Sequence, residues 1–208
     1  MSANETRRAA SPPILPYDYL IPGSSYTQLW DWDSVFLGIG TLRYGSRPYL
    51  LGSMKNFFSN VNLATGYTPG CLSSHLDPSP CSIASKHAKP VLVQGAWIAS
   101  EDKLELEPFR DRMRATLEYW DRAPHTDPET RLFVWSDQME TGADDLPLSQ
   151  CPSWRSPGCW SRSQANTLAS VDLQIWLSRE HLAFSKFIEA WDESGESDNV
   201  SLCRTLQT

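Results

Sequence analysis

Residues 168–191 read LASVDLQIWLSREHLAFSKFIEAW, and this stretch decides the class of fold. Leu173, Leu177, Phe184 and Ile188 recur at helical spacing and form one apolar ridge. Trp176, Ala183, Phe187 and Trp191 form a second ridge beside it. Two adjacent ridges make an apolar arc too wide for a helix covered on one side only. The helix is therefore expected to pack against several others. Asp172 lies near its start, where a carboxylate suits the positive end of the helix dipole.

Working outward, the same periodicity returns in shorter stretches. Phe109, Met113, Leu117 and Trp120 predict a helix over 107–120. Val93, Trp97 and Ile98 predict one after Pro90, with Gln94 and Gly95 near its start. Residues 48–60 read as a helix with Leu51, Met54, Phe57 and Phe58 inward and Pro48 in its first turn. From Gln28 onward, Leu29, Trp32, Phe36 and Ile39 or Gly40 mark a buried helix face, with Asp31 or Asp33 as N-cap. Apart from a short stretch at 132–135, no strand pattern competes. Helix pairs joined by long loops predict an all-α chain, a partial α/α toroid of five or six helices rather than a four-helix bundle. Residues 1–16 read as a loose arm, 17–192 as the domain, and 193–208 as a polar tail holding at most a short sixth helix.

Composition narrows the partners. The 208 residues carry a net charge of −7, which argues against nucleic acid or an anionic membrane. Nine Trp are a heavy load, suited both to sugar C–H faces and to helix interfaces. The N-terminus has no apolar run long enough for a signal peptide or a membrane span, so a cytoplasmic protein is expected. Five Cys without a CxxC give no disulfide framework. Cys71, His75, Cys81 and His87 match no standard zinc spacing, so no metal and no cofactor is expected.

Residues 133–145, FVWSDQMETGADD, bring Asp137, Glu140, Asp144 and Asp145 together with no Lys or Arg between Arg131 and Arg155. Like charges so close cannot all ionise freely, so one carboxyl should hold its proton toward neutral pH. Trp135 and Met139 would wall it from water. A protonated acid beside an ionised one is the pair that glycosidic bond cleavage uses. A hydrated acidic surface loop is the plainer reading of the same residues.

In order along the chain, YLIPGSSYTQLWDWDSVF (19–36), NFFSN (56–60), GYTPG (66–70), KPVLVQGAW (89–97), FVWSDQMETGADD (133–145) and VDLQIWLSREHLA (171–183) resemble the trehalase-like glycosidases of the six-hairpin superfamily. The resemblance spans roughly 17–190 and implies a closed (α/α)₆ toroid that inverts the anomeric carbon. It implies the general acid at Asp144, in an E-S-G-x-D motif that reads Glu140-Thr141-Gly142-Ala143-Asp144 here. It implies Trp32 and Asp33 lining a sugar site, with Gln94, Trp135, Glu140 and Asp172 beside it. The chain departs from the family at Thr141, at Gln174 in place of an Asn, and at Pro22-Gly23-Ser24-Ser25, where trehalases carry P-G-G and an Arg. No carboxylate matches the family's base, a Glu from a late helix. The expectation is an inverting hydrolase of an α-glucoside or small α-linked sugar, truncated before that base. Its partner would be a small carbohydrate, and its open toroid edge could self-associate. A catalytically inactive sugar-binding or interaction fragment is the alternative.

Overall fold

The structure is a computed structural model, described over residues 15–23, 26–73, 81, 86–122, 124–135, 138–141 and 169–205, with side chains to residue 193. Five helices of eight or more residues dominate the described part. They are α1 (Asp31–Thr41), α2 (Arg47–Ser59), α3 (Leu92–Ala99), α4 (Arg110–Trp120) and α6 (Val171–Thr205); α5 (Gln138–Thr141) is a single turn. A 3₁₀ stretch, Lys103–Phe109, leads into α4. Strands β1 (Leu29–Trp30) and β2 (Cys71–Leu72) pair antiparallel.

Successive helices alternate between two layers. α2 packs on both α1 and α3, α3 also meets α1 and α6, and α4 meets α2 and α6. So α1, α3 and α6 form one row, with α2 and α4 behind it. The all-α reading is right at this level.

The apolar periodicity of α2 places Leu50, Met54, Phe57 and Phe58 in the main core. Ala183, Phe187 and Trp191 of α6 close the same core from the other side. Trp191 is fixed there by stacking on Phe187, 5.1 Å between ring centres, and by donating its indole N–H to Lys103 O at 2.8 Å. Trp120, Trp135, Leu173 and Leu177 make a second, smaller core near the start of α6. Both ridges expected on α6 are thus used, and the helix does pack on more than one neighbour.

Three expectations change. First, α1 is turned about its axis: Asp31, Ser34, Val35 and Gly38 face inward, while Phe36 is 53% and Ile39 39% exposed. Backbone groups decide this rotation. Ser34 Oγ donates to Leu20 O at 3.0 Å, Asp31 accepts from Lys89 N at 2.8 Å, and Gly38 lies so close to α2 that a Cβ would come within 2.7 Å of Leu50. Second, α6 runs through the polar segment after Glu193 to Thr205 without a break. Third, Cys71 and Cys81 form a disulfide, Cα–Cα 5.3 Å, where no pairing was expected. Residues 1–14 of the expected arm, and Asp137, Asp144 and Asp145 of the acidic loop, lie outside the described residues.

Phe36 and Ile39 of α1 and Ile175 of α6, which is 53% exposed, line one groove between α1, α3 and α6. Contiguous apolar surface of this kind drives association. At micromolar concentration the chain is expected to scatter light as an oligomer; a monodisperse monomer with a sharp cooperative melt would contradict this.

Candidate functional site

The site residues singled out in the sequence come from four separate segments, and aromatic packing brings several of them together. Trp32 meets Trp176 edge to face at 6.0 Å, Trp176 meets Trp135 at 6.3 Å, and Trp135 meets Trp120 at 5.6 Å. This chain of rings joins the first turn of α1 and the second turn of α6 to the segment before α5. Val134 also bridges Ala169, and Gln174 clamps Phe133 with two hydrogen bonds, Nε2 donating to its O at 2.7 Å and Oε1 accepting from its N at 3.0 Å. Gln174 therefore holds Phe133, the start of the acidic stretch, against α6.

The aspartates behave as first-turn acids. Asp31 Oδ1 accepts from Trp32 N at 2.7 Å, and Asp172 Oδ1 accepts from Leu173 N at 2.9 Å, each satisfying a donor that the helix itself leaves open. Asp31 is fully buried. Burial raises its pKa, and the Lys89 charge and the N–H groups of Lys89 and Trp32 oppose that rise. Lys89 Nζ stands 3.6 Å from Asp31 Oδ2 and 4.6 Å from the centre of the Trp32 ring. Asp33 is half-buried beside this group, and Asp172 is exposed.

Two expected sugar contacts point inward. Trp135 is 1% exposed, enclosed by Trp120 and Trp176, so its ring supports the site rather than offering a face to water. Glu140 is buried, with its Oε2 3.6 Å from His125 Nδ1. Burial, and second the Glu140 charge, raise the Tyr67 phenol pKa. His87 is buried in the same aromatic group, stacked on Tyr119 at 3.8 Å, with Nδ1 accepting from Thr68 N at 3.2 Å. Burial, then the nearby His125, push its pKa well below the ordinary histidine value. His87 is thus a neutral core residue, and Cys71 and Cys81 are bonded to each other.

Gln94 Nε2 donates to Pro90 O at 3.0 Å, and its side chain lines a cavity of about 210 Å³ with Trp176 and Arg179. Its backbone shows what sequence reading missed. Glu180 of α6, buried, accepts from Val93 N at 2.9 Å and Gln94 N at 2.8 Å. α3 has no side-chain cap of its own, so the carboxylate of another helix takes the two donors an N-cap would take. Burial pushes the Glu180 pKa up to about 7, against the lowering effect of those N–H groups. A signal existed: among the described side chains of α6, Glu180 is the one acid that falls on the buried face. Lys89, immediately before Pro90 in KPVLVQGAW, was also passed over.

Among the described residues, no helix is long and apolar enough to cross a membrane, and no cluster of three or more His, Cys, Asp or Glu could hold a metal ion. No protein-family profile matches the chain. Over 121 residues it is 23% identical to a cytosolic neutral trehalase of Saccharomyces cerevisiae, covering 57% of this chain and 16% of that protein. The chain thus spans well under a fifth of the relative's length, and the likeness supports a distant trehalase-like relationship.

Glu180 makes a pH prediction. Its folded pKa, about 7, lies above the ordinary 4.5. Its contribution to stability is therefore fully present below pH 4.5 and lost as pH rises through about 7. The loss is on the order of 3 kcal/mol. Glu180→Gln keeps the shape and one acceptor without the charge. Denaturant melts should show it less stable than wild type at pH 4.5, with the gap closing or reversing by pH 7.5. A gap independent of pH would contradict the assignment.

Proposed function

We propose that the chain belongs to a glycoside hydrolase of trehalase-like descent, acting on an α-glucoside or a small α-linked sugar. The observation that carries this reading is the contact of Trp176, in the second turn of α6, with both Trp32 at the start of α1 and Trp135 before α5, with Lys89 Nζ 4.6 Å from the Trp32 ring centre. Segments far apart in sequence, each bearing a motif of the resemblance, meet at one place. The distant trehalase likeness supports the same reading.

In this reading Asp144 is the general acid that protonates the leaving oxygen. Trp32 and Asp33 border the sugar, Trp135 and Glu140 hold the loop that carries the acid, and Gln94 and Asp172 flank the pocket. Inversion also needs a second carboxylate, roughly 6.5–9.5 Å from the first, to activate water. Glu140 is turned toward His125 and Glu180 caps α3, so neither is free for that work. No base is assigned within this chain. The partner in this reading is a small carbohydrate.

Sugar binding without turnover is the second reading, favoured by the inward turn of Glu140 toward His125. A cytoplasmic setting would match the printed name of the relative, but cytosolic thiol buffers would leave Cys71 and Cys81 reduced. A bond between Cys71 and Cys81 would instead persist in an oxidising compartment.

Asp144→Asn is expected to cut hydrolysis of an α-glucoside by about two to four orders of magnitude, the span of a positioned acid. The melt should barely change. Undiminished turnover would overturn the acid assignment. If wild type shows no turnover, tryptophan fluorescence titrated with glucose and trehalose decides between the readings. Saturation near millimolar, about 4 kcal/mol, would favour binding without turnover, and a flat titration would remove the sugar site.

A further inference from the structure

We infer that a cleft between α2 and the segment before β1 is a second carbohydrate site, taking a neutral sugar ring against two tyrosines. Tyr17, Asp18, Tyr49, Gly52 and Lys55 are among the residues that line it. Its volume is about 480 Å³, inside the range of roughly 300–1,000 Å³ that ligand pockets occupy. The lining shares no residue with the candidate site described above, and the inference does not rest on the reading just proposed.

The wall that carries Tyr17 and Asp18 is fixed. Residues 17–20 belong to no helix or strand, yet two fully buried side chains of α2 hold their backbone. Asn56 Oδ1 accepts from Tyr17 N at 3.2 Å, and Asn56 Nδ2 donates to Tyr17 O at 2.8 Å. Ser53 Oγ accepts from Leu20 N at 3.0 Å. Gly52 lets the segment come this close, since a Cβ there would meet Asp18 O at 2.0 Å. The segment therefore presents Tyr17, 38% exposed, opposite a helix that presents Tyr49, 47% exposed. Rings on so firm a support lose little freedom when a ligand settles on them.

The lining defines the ligand. Half-exposed tyrosine rings suit the apolar C–H face of a sugar. Asp18 is exposed and, among the described residues, pairs with no cation, so its oxygens can accept from hydroxyl groups. Lys55 pairs with Glu105 at 2.9 Å, and its ammonium lies 5.6 Å from the centre of the Tyr17 ring. Glu105 balances the charge of Lys55 and leaves it N–H donors to spare. Asp18 then gives the cleft an excess of negative charge, in a chain that carries −7. That field disfavours phosphate and carboxylate. A ring bearing hydroxyls uses the acceptor, the donor and the aromatic faces without adding charge.

The test is fluorine NMR of the chain carrying fluorotyrosine at its seven tyrosines, titrated with methyl α-glucoside. Tyr17→Phe and Tyr49→Phe each remove one resonance and so assign it. Both resonances should move together and saturate with a Kd of about 1 mM. Asp18→Ala should weaken that Kd about tenfold, the size of a hydrogen bond to a charged group. Should Asp18→Ala fail to fold, Asp18→Asn takes its place with the same expectation of weaker binding. Tetramethylammonium is the control, and tighter binding of this cation than of the sugar would make the cleft a cation site and overturn the inference. Tyr17 and Tyr49 resonances that stay still would overturn it too, as would an Asp18 variant that binds like wild type. Movement confined to the other tyrosines would place the sugar elsewhere, overturning this inference while leaving the site at Trp32 and Trp176 standing.

Discussion

The contact between the Glu180 carboxylate and the Val93 and Gln94 amides holds the arrangement together. It spans 86 and 87 residues of sequence and fixes where α6 crosses the start of α3. Once that crossing is set, Phe187 and Trp191 reach the main core in one direction along α6, and Trp176 reaches Trp32 in the other. A buried carboxylate is expensive, as its raised pKa shows. An uncapped helix start in the same place would leave buried N–H groups without acceptors, which is also expensive. Each group resolves the other's deficit.

What the sequence disclosed, and what it hid, follows from that contact. Apolar repeats locate α2, α4 and the apolar span of α6 well, because burial of Met54, Phe57, Met113 or Phe187 is a local property of spacing. The rotation of α1 was not legible. Trp32, Phe36 and Ile39 look like a core face, yet Asp31, Ser34 and Gly38 take it, since their partners Lys89, Leu20 and Leu50 are distant in sequence. Glu180 was hidden for the same reason: on a helical wheel it is a blemish in an apolar arc until α3 supplies its donors. The two-residue β1–β2 pairing is too short for any alternation to show.

Of the candidate site, composition picked out Trp135 and Glu140, and the resemblance picked out Trp32, Asp33 and Asp172; the structure links Trp32 to Trp135 through Trp176 of α6. It also sorts them by position. Trp135 and Glu140 face inward rather than toward solvent. Asp31 anchors Lys89, and Lys89 covers Trp32. A sequence can nominate residues by type, but which of them faces inward depends on the packing of α1, α3 and α6.

Native-state hydrogen exchange at the Val93 and Gln94 amides tests this account most directly. First-turn amides of a helix ordinarily exchange fast, because the helix gives them no acceptor. Here they should exchange as slowly as the slowest amides of α2 and α6, opening only with global unfolding. Exchange at the rate of open helix termini would show that Glu180 does not join the two helices, and the placement of Trp176 beside Trp32 would lose its cause.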